Sequence, residues 1–99
     1  MSNSSNKVII VTGSSSGIGA AVARLAATNG YNVLVNYNSN AAGAEAVVND
    51  CKAHKVDAIA VGANVANDED CCRLASTAVD AWGRIDVLVN NAGTTKFCQ

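Results

Sequence analysis

A chain of 99 residues, 49% hydrophobic and 15% charged, with a formal net charge of −1, holds at most one small domain. That apolar content excludes a disordered tail, and the scattered Lys and Arg exclude a nucleic-acid footprint or a membrane-surface patch. No apolar run reaches the length of a bilayer span.

Residues 1–6, rich in Ser and Asn, read as a flexible start. The run Val8–Val11 that follows is too short for the apolar region of a signal peptide, so a cytoplasmic location is expected. This β-branched run predicts a first strand, and it ends in the glycine-rich Thr12–Gly19. Ile18, Val22 and Leu25 then recur at helical spacing until Asn29-Gly30 stops the helix. Val33-Leu34-Val35 reads as a second strand with a polar exit from Asn36 to Asn40. Ala44, Val47, Val48 and Cys51 form a second helical stripe, and Ala58–Val61 a third strand. Asn67 followed by Asp68, Glu69 and Asp70 has the chemistry of a capped helix start with acids in its first turn. Cys71, Ala75, Ala78 and Trp82 continue that helix, and Gly83 terminates it. Val87-Leu88-Val89 is the fourth strand, leading into Asn90-Asn91-Ala92-Gly93.

The order β-α-β-α-β-α-β implies a parallel sheet with right-handed crossovers. Its strands are continuously apolar, so both faces are expected to be buried. In a doubly wound order of 3-2-1-4, the first two helices cover one face and the third alone covers the other. One helix is too little for four strands. Residues 1–99 therefore read as a partial α/β domain of the Rossmann type, truncated at 94–99, with further chain or a partner expected to cover the remaining face.

The four cysteines read as reduced thiols, since no secretory signal accompanies them. Cys51 and His54 have a C-x-x-H spacing, but Cys51 and Cys71 fall on apolar helix stripes, and no metal site is expected.

Chemistry concentrates in Gly13-Ser14-Ser15-Ser16-Gly17-Ile18-Gly19, between the first strand and the first helix. Glycines there permit a tight turn and a close approach of backbone to a diphosphate, which the free amides at the helix mouth attract. No Gly-Lys-Ser/Thr follows, so this is not an ATPase loop. The spacing is G-x-x-x-G-x-G, preceded by Thr12, and N-N-A-G stands at Asn90–Gly93 after the fourth strand. With the approach Gly83–Val89, these motifs resemble the amino-terminal part of the short-chain dehydrogenases/reductases over residues 7 to 95.

The resemblance implies an NAD(P)-dependent oxidoreductase moving hydride between a nicotinamide cofactor and a carbonyl or alcohol substrate. It implies that Asn91, Ala92 and Gly93 contact the adenosine ribose and that their segment braces the turn near Thr12. It also implies that Asn64-Val65 flank the adenine; the family usually has Asp-Val there, and Asn64 keeps only an acceptor oxygen. The stretch Asn36-Tyr37-Asn38 lies where the cofactor's ribose would be read. With no acid there, a 2′-phosphate escapes a repulsion of about 4 kcal/mol at 4 Å near a surface. NADP is therefore preferred, with NAD retained as the alternative, because Ser16 stands where many NADP-using relatives carry a basic residue.

The family's catalytic Tyr-x-x-x-Lys is absent: Tyr31 is followed four places on by Val35, and Tyr37 by Ala41. No catalytic residue is assigned. Lys96, Cys98 and His54 are read as surface or loop residues, and the chain alone is expected to be inactive. Small-molecule substrate and homo-oligomer belong to a full-length form. The alternative reading is a non-catalytic nucleotide-binding or interaction module.

Overall fold

The computed structural model describes residues 6–91; Ala92 and Gly93, and the segments 1–5 and 94–99, lie outside the described residues. Seven elements follow in the expected alternation: β1 (Val8–Val11), α1 (Gly17–Thr28), β2 (Asn32–Tyr37), α2 (Ala41–Lys52), β3 (Ala58–Gly62), α3 (Asp68–Trp82) and β4 (Val87–Val89). The strands form one sheet in the order β3-β2-β1-β4, and every pairing is parallel. This is the 3-2-1-4 order predicted above.

Alternation along each strand divides the core in two. Ile9, Val11, Val33 and Val35 face α1 and α2, whereas Val8, Ile10 and Leu34 face α3. Complete burial of a side chain such as Leu34 contributes about 1.5–3 kcal/mol. The helix ends carry the expected devices. Asn67 caps α3 by accepting from the amides of Glu69 and Asp70, and Gly83 closes it with φ 75°.

Three expectations need correction. The apolar stripe of α1 is not Ile18–Val22–Leu25: Ile18 and Leu25 are 76% and 64% exposed, and Val22 is half-buried. Ala20, Ala23, Ala26 and Ala27 are buried instead. Small side chains let α1 approach the sheet and α2 so closely that the Cys51 thiol reaches the Ala23 carbonyl at 3.6 Å, and the bulkier residues are displaced outward. In α3, Leu74 is fully buried while Ala75 is only half-buried. The thiols also divide: Cys51 and Cys71 are free and buried, but Cys72 is disulfide-bonded.

The expected shortage of cover is visible at β4. Leu88 pairs in register with Ile10, yet Leu88 is 42% exposed while Ile10 is buried. Helix α3 packs over β1 and β2 and leaves that corner bare. On the opposite face a groove of about 590 Å³ opens between α1 and β4, lined by Val22, Leu25, Tyr31 and Val87 among others.

Candidate nucleotide-binding site

Strand β1 delivers the chain to the carboxyl edge of the sheet, where Thr12 ties β1 to β4. Its amide donates to Val89 O at 3.0 Å, and its hydroxyl oxygen accepts from Asn91 N at 3.0 Å. The turn beyond begins at Gly13, with φ 60°, a conformation costly to residues bearing a β-carbon.

The serines then diverge. Ser14 is wholly buried; its hydroxyl donates to Val11 O at 2.7 Å and accepts from Asn36 N at 3.0 Å. Ser15 is half-exposed and Ser16 exposed. Ser16 occupies the cap position of α1 in extended backbone and makes no capping bond through its side chain. Helix starts ordinarily satisfy their free amides with such a bond. Here the amides of Gly17, Ile18 and Gly19 meet no partner among the described residues, and the positive end of the helix dipole lies behind them. That is the donor set a diphosphate requires.

The two later glycines serve different needs. Gly17 has φ 61° and open space where a β-carbon would stand. At Gly19 a β-carbon would lie 2.4 Å from Gly13 O, 2.7 Å from Asn91 Nδ2 and 2.9 Å from Ser14 Cα. Gly19 thus lets α1 pass against the turn.

Beside the turn, Gly13, Asn36, Asn38 and the segment 63–66 line a cleft of about 250 Å³, and none of these side chains is charged. The predicted residues divide within it. Asn38 is exposed, and Val65 is half-buried against the α3-side core. Asn64 is exposed, with its Oδ1 accepting from Ala66 N at 3.0 Å, a local turn bond that leaves one lone pair free. The Tyr37 ring lies over Gly62, where a β-carbon would come within 3.0 Å of it. Asn36, only 2% exposed, spends its side chain on backbone: Oδ1 accepts from Gly13 N at 2.9 Å and Nδ2 donates to Ala63 O at 3.2 Å.

Asn91 crosses from the far wall, its Nδ2 donating to Gly13 O at 3.1 Å. This segment thereby braces the turn, as the motif implied.

Sequence reasoning overlooked Gly43. It lies in the first turn of α2, where Asn40 Oδ1 accepts its amide at 3.0 Å, and a β-carbon there would come within 2.6 Å of Ser15 O. The available signal was a glycine inside an otherwise alanine-rich helical stretch. Among the described residues no His/Cys/Asp/Glu group is arranged to hold a metal, and no helix is long and apolar enough to cross a membrane.

Comparison with known proteins accounts for this architecture. The short chain dehydrogenase family profile matches residues 7–99. The 3-oxoacyl-(acyl-carrier-protein) reductase FabG of Staphylococcus epidermidis is 47% identical over 91 residues, covering 92% of this chain and 37% of that protein. A Burkholderia xenovorans structure assigned to the short-chain dehydrogenases/reductases superposes with a TM-score of 0.86 at 35% identity, covering 96% of this chain and 39% of that one. A Burkholderia cenocepacia protein assigned as a dehydrogenase and solved with bound NADP gives 0.81 at 28% identity, covering 86% of this chain and 33% of that one. This chain therefore spans less than two-fifths of each of these relatives. The chain belongs to the short-chain dehydrogenase family of oxidoreductases.

Proposed function

We propose that this chain is the nucleotide-holding part of an NAD(P)-dependent oxidoreductase, NADP being the preferred cofactor, that exchanges hydride with a carbonyl or alcohol substrate. The observation that carries the reading is the uncapped start of α1, where three consecutive amides after a glycine turn have no partner among the described residues. In this reading Gly17, Ile18 and Gly19 meet the diphosphate through their amides, with the hydroxyls of Ser15 and Ser16 beside them. Tyr37 and Asn38 flank the adenosine ribose from β2, Asn64 and Val65 flank the adenine, and Asn91 closes the far side with Ala92 and Gly93. Gly13, Ser14 and Asn36 support the turn from beneath.

When bound, the nicotinamide supplies the hydride chemistry. The residues of this chain bind and orient it. Proton transfer needs a group this sequence lacks, so the chain alone is inactive; substrate choice and self-association belong to a longer form. The preference for NADP rests on the uncharged cleft, which has no acid to repel a 2′-phosphate, and agrees with the NADP held by one structural relative. A cytoplasmic location goes with this role.

Calorimetric titration of the purified chain with NADP and NAD tests the reading. Binding of both, tighter for NADP, is expected. Tenfold tighter binding of NAD overturns the preference, and binding of neither overturns the assignment. Cofactor-dependent turnover by the chain alone contradicts its inactivity.

A further inference from the structure

Resting on the nucleotide-site reading, we propose that Asn36 is a positioning residue that presets the phosphate turn, joining it to the wall of the adenine cleft without touching the cofactor itself. The turn and that wall are separated by more than forty positions of chain, yet one buried carboxamide connects them. Its Oδ1 takes the Gly13 amide at 2.9 Å, while Nδ2 donates to the carbonyls of Ala63, Tyr37 and Val61 at 3.2, 3.3 and 3.4 Å. The backbone of the same residue completes the splice. Asn36 N donates to Ser14 Oγ, and Asn36 O accepts from Ser14 N at 2.9 Å.

The consequence is a division of labour along the turn. The amides of Gly13 and Ser14 both point into the protein, consumed by Asn36, so they are closed to a ligand. Those of Gly17, Ile18 and Gly19 stay open. A turn whose first half is bonded inward holds its second half in one arrangement before any anion arrives, so little ordering remains for binding to oppose. Residue type matters because the position needs an acceptor toward Gly13 and a donor toward β3 at once. Asparagine carries both without charge. Aspartate keeps the acceptor but sets a carboxylate oxygen against carbonyl oxygens, and serine is too short to span both walls.

Asn36→Asp therefore has a signature that a general packing defect lacks. Its carboxyl, buried against carbonyls, is driven toward its protonated form, and the protonated form regains a donor. The charged side chains on the helices packed against β2 are Arg24 of α1, Glu45, Asp50 and Lys52 of α2, and Asp68, Glu69, Asp70, Arg73 and Asp80 of α3, with Tyr37 on β2 itself; Asp70 is engaged with Asn64 N and Arg73 with Gly62 O.

The test combines NADP titration and amide hydrogen exchange of the wild-type chain, Asn36→Asp and Asn36→Ser, at pH 5.5 and pH 8. At pH 8 both variants are expected to bind NADP at least tenfold more weakly, with Gly13 exchanging at least tenfold faster than in the wild type. At pH 5.5 the Asn36→Asp deficit shrinks while that of Asn36→Ser persists. Should Asn36→Asp fail to fold at pH 8, Asn36→Ser supplies the comparison. Wild-type affinity and Gly13 protection in either variant at pH 8, or an Asn36→Asp deficit indifferent to pH, overturns the proposal. If the wild-type chain binds neither nucleotide, the functional reading falls and the role at a cofactor site falls with it, while Gly13 exchange still decides whether the brace exists.

Discussion

The carboxamide of Asn91 donates to Gly13 O at 3.1 Å, and a β-carbon at Gly19 would stand 2.4 Å from that same oxygen. Turn, helix and far strand thus meet at one carbonyl. Two of the obstructing atoms at Gly19, Gly13 O and Ser14 Cα, are backbone and yield little. We expect Gly19→Ala to cost about 1–3 kcal/mol, as overpacking does, and to abolish nucleotide binding. Thermal unfolding and titration check this; an undiminished melting temperature contradicts it.

Gly17 separates the two effects. Its φ of 61° makes any side chain strained, at a cost of about 1–3 kcal/mol, but the surrounding space is open. A valine there projects into the region assigned to the diphosphate. Gly17→Val is expected to keep a cooperative unfolding transition while losing NADP binding. Unchanged affinity removes the phosphate-turn assignment.

Asp86 joins the starts of β1 and β4, accepting from Val8 N at 2.8 Å while Arg84 grips both its oxygens at 2.8 and 2.7 Å. The Arg84 hydrogen bonds, then the Val8 amide, hold its carboxyl below the ordinary carboxylate range. A lowered folded value means stabilisation present above the unfolded carboxylate's titration and lost as pH falls through the folded one. Unfolding curves from neutral to acid pH are expected to show that loss, and Asp86→Asn to flatten it. An identical acid profile in the variant refutes the linkage.

Cys51 responds in the opposite direction. Burial between α1 and α2 pushes its thiol above the usual value. A raised folded value means stabilisation kept below the unfolded thiol's titration and lost as pH rises through the folded one. At neutral pH it is expected to resist a thiol reagent until the protein unfolds; rapid labelling under native conditions contradicts its place in the core.

Trp82 Nε1 donates to Asp57 Oδ2 at 2.8 Å, fastening the end of α3 to the start of β3, while Asp57 Oδ1 caps Ala58 N. Asp57→Ala is expected to cost about 1.5–3 kcal/mol, the range for bonds to a charged acceptor, and to shift the tryptophan emission. Denaturant titration followed by fluorescence measures both.

What could be read from the chain by itself was whatever depends on near neighbours. Element order, the stripe of α2, the Asn67 cap, the Gly83 stop and the glycine turn are local patterns of period and residue chemistry, and the strand order came with the doubly wound Rossmann type to which they point. What only the tertiary structure decided involves segments that meet from far apart. Which face of α1 is buried depends on how closely its alanines let it approach α2 and the sheet, and larger side chains at Ile18 and Leu25 mislead a count of hydrophobicity. Gly17 and Gly19 are alike in sequence, yet only Gly19 has the turn carbonyl of Gly13 and the carboxamide of distant Asn91 against it. Asn36 was expected at the cofactor's ribose because it stands at the end of the second strand; its burial among Gly13, Val61 and Ala63 gave its amide other partners. Periodicity is carried by bonds along the chain, whereas close approach is set by what packs on the other side.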